Sequence, residues 1–507
     1  MKKYSFCFLV FVVAASLVAR AQEAVRGFHL DLRIQVMKLP ALKAFAKDLR
    51  QQGINTLIME WEASYPFEGD PQIANRYVYT REEVKEFVGY CHQLGIDVIP
   101  LQQSFGHVEY ILRNNKYAAL REDEHDLSQV CPAKLALNKE VFTRLFKDMA
   151  GTHGSPYIHI GCDETHLLGH CPICQKLAAE EGLSKLYFDH VKMLCDIVVG
   201  LGKRPVLWAD IALKHPEYIQ LLPKQTIFVD WNYGWDLNAF GDHDKLVNSG
   251  YEIWGAPALR SEPDNYYLTR WQHHFENIGE FIPQCRKLGY KGIVMTSWST
   301  SGVYNGLFDA DDEVVDLYAV RHVYPLAGFR LLIAAYTRAL QDSNFESGAF
   351  IAGYCRDRYG LDAPSALAFR KALFNAPYKV IDEKVVSPSV MPLEVLLDSA
   401  RESANVLHGL KVGQHADEFE HYRLMADIRV YYLSYLVLEA KVNDAVDIEA
   451  FRKLAGDVRV LMASEPALDE AFSRLNGSTL YPAAIEEENA VRVYRTHLLY
   501  DRLAKVQ

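Results

Sequence analysis

Short apolar runs alternate with amphipathic stretches from residue 26 to about residue 330. Runs that read as buried strands begin near Gly27 (GFHLDLR), Thr56 (TLIME), Asp97 (DVIPL), Tyr157 (YIHIG), Pro205 (PVLWAD), Thr226 (TIFVD), Tyr251 (YEIWG) and Gly292 (GIVMTSW). Helical patterns such as KLPALKAFAKDLRQQG and REEVKEFVGYCHQLG lie between them, each ending in glycine, a helix-stop signal. Strands alternating with helices at this spacing predict an α/β fold, a (β/α)8 TIM-type barrel. A doubly wound open sheet is the rival, and the lack of a glycine-rich phosphate loop after any strand weighs against it. From about residue 340 strand-like runs give way to long helical ones, LEVLLDSARESANVLHGLK and FEHYRLMADIRVYYLSYLVLEAKV among them. The pattern therefore divides the chain into a leader over 1–21, a barrel over 22–340 and an all-helical C-terminal domain over 341–507.

Composition narrows the classes. Half of the 507 residues are hydrophobic and 23% are charged, enough apolar material for a large core. The first residues pair Lys2 and Lys3 with an apolar run over Phe6–Val18 and an Ala19-Arg20-Ala21 cleavage pattern, which predicts an exported protein, periplasmic or secreted. Losing three basic residues with the leader would take the formal charge from -11 to -14. Such an acidic product is a poor partner for nucleic acid or an anionic membrane, and no later run is long enough to span a bilayer. A homodimer is compatible with the chain.

The chemistry concentrates where the strands end. Glu60-Trp61-Glu62, Gln102 to His107, Asp163-Glu164, Trp208 to Asp210, Asp230 to Tyr233, Trp254 and Trp298 all follow apolar runs, and in a barrel those ends share one face. In YIHIGCDETHLLG a β-branched run meets glycine and then two neighbouring carboxylates, Asp163 and Glu164. Like charges in a buried site raise each other's pKa, so such a pair is expected to keep one member protonated near neutrality, as general acid catalysis requires. Cys162, His166, His170, Cys171 and Cys174 raise a metal question. One C-x-x-C leaves a zinc site, a disulfide and free thiols all open.

RGFHLDLR, SFGH, HIGCDE and the late strand-end tryptophans together resemble glycoside hydrolase family 20, the β-N-acetylhexosaminidases. GINTLIMEWEASYPFEG, VIPLQQSFGHVEYILRNNKYAALRE and LSQVCPA resemble its hexosaminidase D-like branch. The likeness covers roughly residues 26–310. The chain departs from the common family pattern at three places: Cys162 stands for a second glycine, FGH for PGH, and WSTSG for a WxE after strand eight.

The resemblance implies an exo-acting, retaining hydrolase of terminal β-GlcNAc or β-GalNAc, in which the substrate's own acetamido oxygen attacks the anomeric carbon. Glu164 matches the general acid/base and Asp163 the residue that holds the acetamido N–H. Arg26 matches the arginine that grips sugar hydroxyls, His107 a histidine beside the pair, and Tyr233 a tyrosine that bonds the acetamido oxygen. Trp208 and Trp298, with Trp231 and Trp254, are candidates for an aromatic box around the sugar. His159 either orients a carboxylate or fills a barrel layer. Asp230 is a candidate strand-end partner, and Glu62, with Glu60, either binds hydroxyls or caps a helix. The implied chemistry needs no cofactor and no metal. A carbohydrate-binding protein on a decayed barrel, and a metal-dependent hydrolase, are the competing classes.

Overall fold

Alternation along each strand decides what faces the barrel axis. The strands are β1 (Val25–Asp31), β2 (Thr56–Glu60), β3 (Asp97–Leu101), β4 (Tyr157–His159), β5 (Arg204–Trp208), β6 (Ile227–Trp231), β7 (Glu252–Ala256) and β8 (Gly292–Met295). They form one closed parallel barrel in chain order, with β8 returning to β1. Inside it Ile58, Ile99, Leu101, Tyr157, Val206, Trp208, Ile227, Val229, Trp254 and Val294 make one apolar cluster. Their alternate neighbours, such as Phe28, Leu57, Ile158, Leu207 and Phe228, belong to a second cluster shared with the surrounding helices. Burying each aliphatic side chain contributes roughly 1.5–3 kcal/mol, so slipping one strand by a residue would invert a whole set.

The computed structural model describes residues 24–260, 264, 269–299, 323–375 and 392–505, with the backbone of the short strands Tyr304–Leu307, Asp316–Ala319, Lys379–Ile381 and Lys384–Val386. The leader expected at 1–21 lies outside the described residues, as do Thr300, Ser301 and Gly302 of WSTSG. All eight strands start within two residues of their expected positions.

The C-terminal region is predominantly helical, including Leu393–Gly409, Ala416–Asp444, Ile448–Met462 and Pro482–Ala504. Strand pairing is not wholly absent there, because Lys379–Ile381 and Lys384–Val386 form a short antiparallel ladder. The region packs on the barrel through specific bonds. Lys38 Nζ, on the segment after β1, donates to the Gly477 carbonyl at 2.7 Å. Gln35, also after β1, donates to Glu488 at 3.4 Å. The helical region thus braces a loop on the rim that carries the site. Among the described residues no helix is long and apolar enough to cross a membrane.

Candidate active site

β4 delivers the acids through a tight turn. Gly161 has φ +69°, and a Cβ there would sit 1.9 Å from Gln103 Oε1 and 3.2 Å from Gln103 Cα. Cys162 and Glu164 come next at φ 73° and 48°. Neighbours on an extended strand point to opposite faces, but this left-handed turn brings Asp163 and Glu164 to the same side. Cys162 explains one departure from the family pattern, since the position that resembles a glycine does adopt a glycine-like φ. Holding a cysteine there costs on the order of 1–2 kcal/mol. Glu62 and His107 also have positive φ, at 43° and 53°. Strain of this kind persists only where surrounding contacts impose it. Gly106 permits the final approach, because a Cβ on it would lie 2.3 Å from the Asp163 carbonyl oxygen.

His107 is the meeting point. Its Nε2 lies 3.4 Å from Asp163 Oδ2 and 3.2 Å from Glu164 Oε2. Burial opposes a charge on His107, but Asp163 and Glu164 outweigh it and hold the imidazole pKa well above its ordinary value. Burial pushes Glu164 up as well, yet its bond to His107 and the imidazolium charge outweigh that and lower it. The expectation that the two acids share a proton between themselves leaves out this third group, which stands against both. An imidazolium between two carboxylates relieves their repulsion, which favours a proton on His107.

The rim contains a third acid, one that its sequence position marks as a strand-end residue without giving it a role. Asp210, just after β5, accepts from the Glu164 amide at 3.1 Å and from Trp231 Nε1 at 3.4 Å. Burial, then the charge of Asp163, raises its pKa to about 7. A carboxyl raised from an ordinary value near ~3.9 binds more protons folded than unfolded, so its contribution to stability declines as pH climbs from about 4 through 7. Asp210→Asn keeps the acceptor and removes the titration. Its thermal midpoint relative to wild type should be higher at pH 8 than at pH 5, measured by scanning calorimetry; a pH-independent difference would exclude this role for Asp210.

Beneath the acids lies a buried ionic network. Arg33 Nη2 donates to Glu60 Oε1 at 2.8 Å and its Nε lies 2.9 Å from Glu62 Oε1. His29 Nε2 and Gln103 Nε2 complete the shell of Glu60 at 2.8 and 3.0 Å. Arg33 is also close enough to help lower Glu164.

Arg33, not Arg26, is the cation that pairs with Glu60 and Glu62 at this rim. Arg26 faces outward at the N-terminal end of β1, paired in register with Ile293, its amide bonded to Asn55. It stands at the opposite end of the strand from Asp31, so the expected hydroxyl-binding role for Arg26 is corrected. Asp230 is corrected too. It occupies an outward position on β6 and accepts from His243 at 2.9 Å and Tyr290 at 2.5 Å, tying strand to helical shell.

The other candidates divide between the wall of the site and the barrel interior. His159 is fully buried in the barrel, its ring 4.5 Å from Trp208 and its Nδ1 3.1 Å from the Gly161 amide. Burial lowers its pKa to about 3, so it fills a layer as a neutral ring and supports the turn. Trp208 and Trp298 lie 5.7 Å apart, with Trp298 Nε1 donating to the Tyr233 hydroxyl at 2.9 Å. Trp231 and Trp235 stand 5.2 and 5.1 Å from the Tyr233 ring, forming a continuous aromatic wall. Trp254 does not join it; it packs against Tyr157, lower in the barrel. Glu62 is buried on Arg33.

A parallel barrel whose C-terminal rim gathers adjacent acids, an imidazole and an aromatic wall has the layout of a sugar-cleaving hydrolase. Residues 30–300 match the catalytic domain of glycosyl hydrolase family 20, more than half of the chain. The chain belongs to this family of glycoside hydrolases, the β-N-acetylhexosaminidases. Hexosaminidase D from Bos taurus is 28% identical over 290 residues, covering 54% of this chain and 84% of the relative. The Homo sapiens hexosaminidase D is 27% identical over 300 residues, with 56% and 61% covered, so the match spans less than two thirds of that protein. A β-N-acetylhexosaminidase structure from Bacteroides fragilis aligns with a TM-score of 0.46 at 21% identity, over 56% of this chain and 62% of the other.

Proposed function

We propose that this chain is an exported, exo-acting β-N-acetylhexosaminidase that removes terminal β-linked GlcNAc or GalNAc from glycans with retention at the anomeric carbon. One observation carries the reading: Asp163 and Glu164 converge on a single nitrogen of His107 beside an aromatic wall. A two-carboxylate glycosidase sets its acids on opposite sides of the scissile bond. Acids that share one nitrogen stand side by side, which leaves the nucleophile to the substrate.

In the first step Glu164 donates a proton to the glycosidic oxygen as that bond breaks. The acetamido oxygen bonds to the anomeric carbon, giving an oxazolinium ion. Asp163 accepts from the acetamido N–H and stabilises the positive charge, an interaction stronger in the transition state than with neutral substrate. The Tyr233 hydroxyl, oriented by Trp298, donates to the acetamido oxygen. Glu164 then takes a proton from water, which adds to the face that the leaving group vacated. His107 is the proton reservoir. When a sugar displaces water from the rim, the separated charges lose solvation and the proton moves across to Glu164.

Proton NMR of p-nitrophenyl β-GlcNAc and β-GalNAc hydrolysis should show the β-anomer of the sugar released first, and a thiazoline mimic of the cyclic intermediate should inhibit competitively. Initial release of the α-anomer, indifference to the thiazoline, or binding with no turnover would overturn the assignment.

A further inference from the structure

Cys131 meets the distant pair Cys171 and Cys174 beside the catalytic rim, and the mechanism uses none of the three. Cys131 Sγ lies 3.6 Å from Cys171 Sγ and 3.5 Å from Cys174 Sγ. The carboxylate of Glu122 joins them, its Oε2 3.3 Å from Cys174 Sγ. One ligand atom from each of the four lies within 4.8 Å of every other. We propose that Glu122, Cys131, Cys171 and Cys174 form a structural zinc site.

The three separations given above, 3.6, 3.5 and 3.3 Å, fit ligands placed around a tetrahedral metal. Zinc bonds thiolate sulfur at about 2.3 Å and carboxylate oxygen at about 2.0–2.2 Å, which sets neighbouring sulfurs roughly 3.8 Å apart and a sulfur and an oxygen roughly 3.5 Å apart. The observed separations sit within a few tenths of an ångström of both. A disulfide would draw two of the sulfurs to about 2.05 Å and strand the third. Three thiols and a carboxylate also select zinc over magnesium or calcium, which prefer all-oxygen shells.

The surroundings hold the ligands in place. Glu122 is buried, and its other oxygen accepts from the Cys171 amide at 2.7 Å, which turns Oε2 toward the sulfurs. Cys171 caps the helix Pro172–Glu181, and the Cys174 amide donates to its sulfur at 3.4 Å. Leu186, Leu168 and Leu177 pack around the group, which keeps it apolar outside its own ligands. Cys162 and His170, metal candidates on sequence grounds, stay out of it. Cys162 is buried on Ser104, and His170 pairs with Asp123 at 2.8 Å.

Position gives the site a purpose. Glu122 and Cys131 belong to the segment after β3 that carries His107, and the Val130 amide bonds to the Phe105 carbonyl at 3.1 Å. Cys171 and Cys174 open the helix that comes after the Asp163-Glu164 turn. Zinc would fasten those two segments together and so fix His107 against the acids. Binding takes the aqueous ion and releases the thiol protons, with no redox change.

Metal analysis of the full-length protein, grown with zinc and purified without chelator, tests this directly. About one zinc per chain is expected, with the three thiols inert to a thiol reagent until a chelator or denaturant is added. Replacement by cobalt should give thiolate-to-cobalt charge-transfer absorption. Cys131→Ser and the milder Glu122→Gln should lower zinc content and thermal midpoint together. Wild-type protein that holds no stoichiometric zinc and rejects cobalt overturns the proposal, whether or not the variants fold. A disulfide among the three cysteines in non-reduced peptide mapping overturns it as well, as does zinc retained in full by both variants. These readouts are independent of glycosidase turnover.

Discussion

Glu164→Gln lowers kcat by roughly 10²–10⁴-fold on an N-acetylhexosaminide whose leaving group needs a proton, the range expected for loss of a positioned general acid. The loss shrinks on p-nitrophenyl glycosides, because p-nitrophenolate departs with little protonation. Asp163→Asn behaves differently. It removes charge that opposes the oxazolinium ion whatever the leaving group, so its loss, of order 10²–10³-fold by analogy with other electrostatic stabilisers, holds across the series. Steady-state kinetics on aryl glycosides of graded leaving-group acidity separate the two roles. Equal slopes for both variants would remove the distinction between acid and cradle, and turnover like wild type in either would remove that residue from the mechanism. Both side chains touch the same His107 nitrogen, so the double variant should lose less than the sum of the singles.

Arg33→Met produces the largest loss of stability, about 3–5 kcal/mol, by leaving buried carboxylates without their cation. The Arg33, Glu60 and Glu62 side chains are 2%, 0% and 2% exposed, so solvent offers little replacement. The pH dependence has a definite sign. Burial alone would raise Glu60, but Arg33, then His29 and Gln103, outweigh it and hold it well below its ordinary value. That stabilisation is present above the unfolded glutamate value of about 4.3 and is lost as pH falls through the lower folded value. Glu62 shifts the other way. Burial, joined by Glu60, Asp31 and Glu109, outweighs Arg33 and raises it, so its contribution weakens as pH rises. Removing Arg33 worsens both, and the deficit against wild type should widen between pH 4 and pH 7. Urea unfolding at several pH values measures it. A deficit that is flat or narrows with pH would show that the network does not carry this stability.

The barrel is legible in the sequence because buried parallel strands are short, β-branched and separated by helices with clear stops. Adjacent acids after a glycine-ended strand are legible for the same reason. Arg26 is misleading because it precedes an apolar run, whereas a barrel rim is built from residues C-terminal to each strand. Arg33, two residues beyond Asp31, obeys that rule. Asp230 misleads through the strand period: Ile227, Val229 and Trp231 face the axis, so Asp230 between them faces away. The cradle of Glu122 around three cysteines is not legible, since Cys131 stands 40 residues from Cys171 in sequence and only the fold joins them. The convergence of both acids on His107 is equally hidden, because it depends on the turn that the fold imposes and not on residue type.

The left-handed turn at Cys162 and Glu164 ties both acids to a single stretch of main chain. Mutation can silence either carboxylate, but the turn fixes the main-chain positions from which the two side chains spring. In the mechanism proposed above, that fixed spacing suits substrates that bring their own attacking oxygen.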